Sequence, residues 1–104
     1  MMTILCNSDD YYKIIGSPGT QILVLGENGE QWTEEVRKVL DLRQIGYHFL
    51  PWHALEDVRL QSEMVYYPVI QVWLDGNLKG ELVGYQSEDL GNLLAKTFSK
   101  RKKG

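Results

Sequence analysis

The sequence predicts an α/β fold in which a mixed central sheet carries helices on both faces. Three observations lead to this prediction: strand-like runs alternate with segments of helical periodicity, residues 21–26 are apolar without alternation, and only Asp75-Gly76 separates two late strands. Alternating strands and helices favour parallel pairing, an uninterrupted apolar strand is typical of a sheet covered on both faces, and Asp-Gly indicates a tight hairpin.

The chain opens with a strand signal at residues 2–6, followed by a cluster of helix N-cap candidates at residues 7–10. Residues 11–15 place tyrosine and isoleucine at helical spacing, and Gly16-Ser17-Pro18-Gly19 is expected to end this short helix. Together these segments form a first β-α unit.

A second β-α unit follows. The apolar run at residues 21–26 predicts a central strand, and residues 32–45 show the i, i+3, i+4 pattern of an amphipathic helix. Thr33 or Asn28 is expected to cap this helix, and Gly46 is suited to its C′ position.

The second half predicts a strand at residues 47–50, a short helix at residues 56–64, and a hairpin of strands 69–74 and 78–83. Ser87 is expected to cap a final helix. The predicted order is therefore β-α-β-α-β-α-β-β-α.

Composition points to a single domain over residues 1–99 with a basic tail at residues 100–104. The 104 residues are 43% hydrophobic and 24% charged, as is ordinary for a globular protein. A net charge of −3 gives no general attraction to nucleic acid or to anionic membranes, and no apolar run approaches the roughly 20 residues of a membrane span. The opening residues predict no signal peptide.

Cys6 is the single cysteine of the sequence, so no intramolecular disulfide is expected. A lone cysteine favours a reducing compartment, and the cytoplasm is the expected location.

The ordered elements resemble the thioredoxin and glutaredoxin superfamily over nearly the whole chain. The resemblance starts at Pro68, which is similar to the cis-proline that precedes the fourth strand in that family. The hairpin of residues 69–83, then Gly84 and Ser87, follow it at the family's spacing. The resemblance implies a thioredoxin fold and a cis Tyr67–Pro68 bond.

The chain departs from this family at the redox site. The resemblance implies a Cys-x-x-Cys motif between the central strand and the next helix, where this sequence has Glu30, Gln31, Trp32, Thr33 and Glu34. Either Glu30 or Gln31 takes the place of the nucleophile. Thiol–disulfide exchange requires a thiolate, which neither a carboxylate nor an amide supplies. We therefore expect no redox activity, no enzymatic function and no cofactor.

Aromatic side chains surround the same edge if the resemblance holds. This candidate rim comprises Trp32, Tyr66, Tyr67, Pro68, Gly84 and Tyr85. In the family, the backbone before the proline pairs with extended peptides, and tyrosine and tryptophan are effective recognition anchors. The favoured hypothesis is a non-catalytic module that binds a protein or peptide, or serves in an assembly. Packing of Trp32 and one tyrosine into the core is the structural alternative.

Two further functions are weaker. Glutathione binding would use Tyr67, Ser87 and Glu88, but Tyr85-Gln86 stand where glutaredoxins carry glycines. An oxidoreductase acting through Cys6 is the least favoured hypothesis. His48 and His53 do not have the convergent spacing of a metal site, so no metal is expected.

Overall fold

The computed structural model describes residues 2–5, 7–55 and 68–98. Its elements are β1 (Met2–Ile4), α1 (Ser8–Ile15), β2 (Thr20–Gly26), α2 (Gln31–Leu42), β3 (Tyr47–Pro51), a 3₁₀ turn (Trp52–Leu55), β4 (Val69–Leu74), β5 (Asn77–Val83) and α3 (Ser87–Phe98). The helix predicted at residues 56–64, the tail at residues 100–104 and Cys6 lie outside the described residues.

The strands form one five-stranded sheet in the order β1-β3-β2-β4-β5. β3 pairs in parallel with both β1 and β2, whereas β4 pairs antiparallel with β2 and with β5. The predicted mixed sheet is confirmed, with the apolar strand β2 at its centre.

Both faces of β2 are covered, as its continuous apolar run predicts. Leu23 and Leu25 belong to one core cluster with Tyr11 of α1. Ile22 and Val24 belong to a second core cluster on the opposite face. The side chains of a strand alternate between faces, so one apolar run supplies both clusters.

The second cluster lies under α2 and α3. Val36 and Leu40 of α2 and Leu90 and Leu94 of α3 are almost completely buried there. Phe49 of β3 fills the same layer. The sheet therefore lies between α1 on one face and the pair α2 and α3 on the other.

The caps of the first two helices were predicted with mixed success. Asn7 caps α1, since its side chain accepts a hydrogen bond from the Asp10 amide at 2.9 Å, in agreement with the predicted cluster. The prediction for α2 is wrong: Glu30 is its N-cap, rather than Thr33 or Asn28. Thr33 lies inside the first turn with a fully buried side chain.

The C-terminal end of α2 also differs from the prediction. Gln44, with φ of 59°, takes the left-handed conformation that was expected at Gly46. The Gln44 amide donates to Asp41 O and the Ile45 amide donates to Leu40 O, at 3.0 and 2.9 Å, which is the hydrogen-bond pattern of a Schellman motif. Packing of Ile45 against the cluster that holds Leu40 accounts for the earlier turn.

Candidate functional site

Strand register brings several chain segments to one end of the sheet. Leu25 near the end of β2 pairs with Val69 at the start of β4, and Val69 pairs with Val83 at the end of β5. The loop before α2, Pro68 and the Gly84-Tyr85 segment directly adjoin these residues. The described members of the candidate rim, although distant in sequence, therefore meet at the same end of the sheet.

Glu30 is fixed at the start of α2 by three hydrogen bonds. Its carboxylate accepts from the Trp32 amide at 3.0 Å, and from the Thr33 amide and the Thr33 hydroxyl at 2.8 Å each. Partial burial acts to raise the pKa of Glu30, but these hydrogen bonds from Trp32 and Thr33 outweigh it and lower the pKa. Glu30 is therefore a charged cap over the neutral pH range.

The loop before α2 uses the chain's own carboxylates to occupy its amides. The Gly29 amide donates to Glu34 Oε2 at 2.8 Å, and Arg37 Nη1 lies 3.1 Å from the same oxygen. With the Trp32 and Thr33 amides bound to Glu30, this helix N-terminus offers few free donors and a negative environment. An anion-binding site here is therefore disfavoured.

Thr33 packs directly beneath the end of β2. A Cβ atom placed on Gly26 would lie 2.5 Å from Thr33 Oγ1 and 2.8 Å from its Cγ2. The absence of a side chain at Gly26 lets the first turn of α2 approach the strand this closely. The Thr33 side chain is thus buried and donates its hydroxyl proton to the Glu30 carboxylate, which lies nearer the surface.

Trp32 and Tyr85 form an aromatic pair on the candidate rim. Their rings stack with centroids 6.0 Å apart and an interplanar angle of 17°. Trp32 keeps 46% of its surface exposed, whereas Tyr85 is partly buried against the core cluster under α2 and α3. Trp32 therefore does not fill the core, and its ring is available at the surface.

Pro68 and Gly84 join the two strands of the hairpin at this edge. The Gly84 amide donates to Pro68 O at 2.7 Å, and Gly84 has φ of 84°. That left-handed conformation is strained for other residues. Tyr66 and Tyr67 lie outside the described residues, so their place on the rim and the cis Tyr67–Pro68 bond stay predictions.

Solved thioredoxins have the same architecture. The chain is similar to thioredoxin O1 of Arabidopsis thaliana, with a TM-score of 0.78 and 11% identity over 93% of this chain and 97% of that one. It is also similar to the thioredoxin of Malassezia sympodialis (TM-score 0.76, 9% identity, covering 93% of this chain and 90% of that one). Spinach chloroplast thioredoxin f is similar with a TM-score of 0.75 and 12% identity, and 92% of each chain is covered.

This chain has the thioredoxin fold. Identities this low establish the fold alone, and no protein-family model and no curated protein matches the sequence. Function must therefore be argued from the residues that this thioredoxin fold carries.

The residues proposed for glutathione are only partly described. Ser87 and Glu88 are exposed in the first turn of α3, next to Asp89. Two acidic side chains at this position oppose an incoming carboxylate. Tyr67, the third proposed residue, lies outside the described residues, and no structural feature of the described part favours glutathione.

Neither a metal-ligand cluster nor a membrane-spanning helix occurs within residues 2–5, 7–55 and 68–98. No group of three or more potential metal ligands occurs within these ranges. His48 instead contacts Gln21 Oε1 at 3.1 Å through its Nε2, and burial lowers the pKa of His48. None of the described helices is long and apolar enough to cross a membrane.

Sequence reasoning missed the partnership of Glu30 with Thr33 and the buried polar group around Gln71. The first had no clear signal, since glutamate is not among the preferred N-cap residues and Glu-x-x-Thr reverses the order of the capping box. The second had a weak signal: Gln71 interrupts an otherwise apolar strand core. The Gln71 side chain is 3% exposed and accepts hydrogen bonds from the Tyr11 hydroxyl and Trp73 Nε1.

The cap at Glu30 makes stability depend on pH. Because folding lowers its pKa, the carboxylate contributes fully above the ordinary value of 4.5 and its contribution is lost as the pH falls below that value. Glu30→Gln is expected to lower the free energy of unfolding at pH 7 by about 1 kcal/mol. Urea denaturation should show a smaller difference from wild type at pH 3.5.

Glu27→Gln is the control, because Glu27 lies in the same loop with an exposed side chain. It should change stability little at either pH. A Glu30→Gln difference of equal size at pH 7 and pH 3.5 would contradict the charged-cap assignment.

Proposed function

We propose that this chain is a non-catalytic thioredoxin-fold module that binds a protein or peptide segment at the candidate rim. The observation that carries this proposal is the stacked pair of Trp32 and Tyr85, whose tryptophan is 46% exposed.

The first turn of α2 and its cap carry no thiol. Glu30 and Thr33 have the i, i+3 spacing of a Cys-x-x-Cys motif, one at the N-cap and one buried. We assign them to the positions of the two family thiols. Neither side chain attacks sulfur, and the Glu30 carboxylate is already engaged by the amides that would otherwise stabilise a thiolate. The edge therefore keeps its geometry without its nucleophile.

Trp32 presents an exposed aromatic surface. A half-exposed tryptophan buries less apolar surface than a core residue does, so it stabilises the fold less and leaves apolar surface for a partner. Stacking on Tyr85 holds its ring in one orientation, so little further entropy is lost when a partner packs on it. A rigid, partly exposed aromatic pair is suited to anchoring an apolar side chain of a bound segment.

Charge at this edge restricts the partner. Glu27, Glu88 and Asp89 are exposed around the loop and the start of α3. A segment with basic residues beside an aromatic or aliphatic anchor is therefore favoured over an acidic one. The expected mode is an extended peptide that passes along Pro68, as an added strand does in β-augmentation.

Selection from a random peptide library, followed by NMR titration of the ¹⁵N-labelled protein, tests the proposal. We expect the selected peptides to be enriched in basic and aromatic residues. They should shift the Trp32 indole and the Gly84 and Tyr85 amides in a saturable manner. Shifts confined to residues away from the rim, such as the end of α3 near Phe98, would contradict it.

A further inference from the structure

A separate cavity of about 150 Å³ lies at the opposite end of the sheet, where β2 begins and β4 ends. Its lining includes the apolar side chains of Val72, Leu74 and Leu93, together with Lys79 and Lys96. Strand β2 runs from Thr20, at this cavity, to Gly26 at the rim, a distance of about 20 Å at the usual rise per residue. This cavity therefore belongs to a different surface from the rim.

A β-bulge directs Lys79 into this cavity. Val72 pairs with Gly80 and Trp73 pairs with Leu78, so Lys79 is an extra residue in β5. In a regular strand Lys79 would lie on the face opposite Gly80. The bulge instead places its side chain in the lining with Val72, since bulges re-aim side chains.

The same bulge separates Lys79 from the nearest acidic side chain of its strand. Glu81 accepts a hydrogen bond from Gln71 Nε2 at 2.8 Å, in the polar group on the α1 face. Among the described residues, neither Lys79 nor Lys96 has an ion pair with a carboxylate. Two ammonium groups with no carboxylate partner in the described part of the chain therefore line one cavity of a protein whose net charge is −3.

Gly80 shapes the wall of the cavity. A Cβ atom at this position would lie 2.6 Å from Leu93 Cδ1, so the absence of a side chain lets Leu93 pack against the strand. The Thr97 hydroxyl donates to Leu93 O at 2.7 Å, which leaves its oxygen as an acceptor in the lining. The lining thus combines an apolar wall with two cations.

We propose that this cavity binds a small amphiphilic monocarboxylate whose apolar body is about the size of a benzene ring. The site is open to solvent, since Leu74, Lys79 and Lys96 are exposed, and its volume of about 150 Å³ leaves room for one ring of this size. The carboxylate is the complement of Lys79 and Lys96, and the hydrocarbon is the complement of Val72, Leu74 and Leu93. The inference is independent of the function proposed for the rim.

Titration of the methyl-labelled protein with phenylacetate tests the proposal, and benzyl alcohol serves as the neutral analogue. Phenylacetate should shift the methyl groups of Val72, Leu74 and Leu93 in a saturable manner, and bind about tenfold more tightly than the alcohol. In Lys79→Met/Lys96→Met the two dissociation constants should become equal.

Two further variants complete the test. Lys38→Met removes a lysine of α2 that is not part of this lining and should leave phenylacetate binding unchanged. Lys96→Gln alone, at an exposed position of α3, should weaken binding about threefold. The proposal would be overturned if Val72, Leu74 and Leu93 showed no saturable shifts, or if the wild-type protein bound benzyl alcohol as tightly as phenylacetate. Undiminished phenylacetate binding by Lys79→Met/Lys96→Met would also overturn it.

Discussion

Replacing both Glu30 and Thr33 with cysteine is expected to give this chain a reducible disulfide and an insulin-reducing activity well above that of the parent chain. The two side chains already meet, since Thr33 Oγ1 lies 2.8 Å from Glu30 Oε1. Residue 30 is the extended N-cap of α2, and its side chain turns back to residue 33, as a disulfide between the two positions requires. The amides of Trp32 and Thr33, which now bind the Glu30 carboxylate, would stabilise a thiolate at position 30.

Lowering a thiol pKa from about 8.5 to about 7 raises its thiolate fraction at pH 7 about 16-fold. We therefore expect insulin reduction with dithiothreitol to run at least about tenfold above background in Glu30→Cys/Thr33→Cys. The matched control is Gln31→Cys/Glu34→Cys, which has the same spacing but starts one residue later, at an exposed position. Both are made with Cys6→Ser.

The parent chain and the control pair are expected to remain at the dithiothreitol background. Equal activity in both cysteine pairs would contradict the assignment of Glu30 and Thr33 to the two family positions. Turnover by the parent chain that disappears in Cys6→Ser alone would instead support the oxidoreductase hypothesis.

Replacing Gln71 with leucine is expected to lower the free energy of unfolding by about 3 kcal/mol. Gln71 Oε1 accepts from the Tyr11 hydroxyl at 2.9 Å and from Trp73 Nε1 at 3.0 Å. Burial raises the pKa of Tyr11 to about 12, so its phenol remains a donor at neutral pH. Leucine would leave two donors without their acceptor inside or beside the core.

The double variant Gln71→Leu/Tyr11→Phe separates this cost from a loss of packing. Removing both partners of a buried hydrogen bond costs less than removing one. We expect urea denaturation to show the double variant recovering about 1 kcal/mol relative to Gln71→Leu. If the effects of the two substitutions simply add, the hydrogen bond between Tyr11 and Gln71 does not contribute as the structure indicates.

The sequence predicted those elements whose signal is local. The run in β2, the Asp75-Gly76 hairpin and a helix cap within residues 7–10 each depend on neighbouring residues, and each is confirmed. Asp75 and Gly76 both adopt positive φ, at 50° and 85°, as a two-residue hairpin turn requires. These elements were enough to predict a mixed sheet. The strand order within the sheet was not predicted and is known only from the structure.

Features set by tertiary contact were missed. Glu30 is an unusual cap by residue preference, and it occupies this position because Thr33 is drawn against Gly26 and supplies two of its donors. Gln44 adopts a left-handed conformation that a glycine two residues later was expected to supply. Packing of Ile45 on the core offsets that backbone cost.

The sequence predicted which residues form the candidate rim, but not how Trp32 and Tyr85 pack there. Sequence reasoning placed Trp32 and Tyr85 at one edge through the family resemblance, and left open whether Trp32 packs inside. The structure shows Trp32 stacked on Tyr85 and half exposed, because Thr33, the next residue of α2, takes the buried position. Helical geometry does not bury both of two successive residues at the start of a surface helix.

The dissociation constant of a selected peptide, measured for Trp32→Ala and for Phe98→Ala, tests the central claim most directly. Phe98 is the matched control, because it is 44% exposed against 46% for Trp32 and lies at the far end of α3. If the rim is a docking surface, Trp32→Ala should weaken binding about 30-fold, as loss of a hot-spot residue does, and Phe98→Ala should leave it unchanged. Equal affinities of the two variants would contradict the claim.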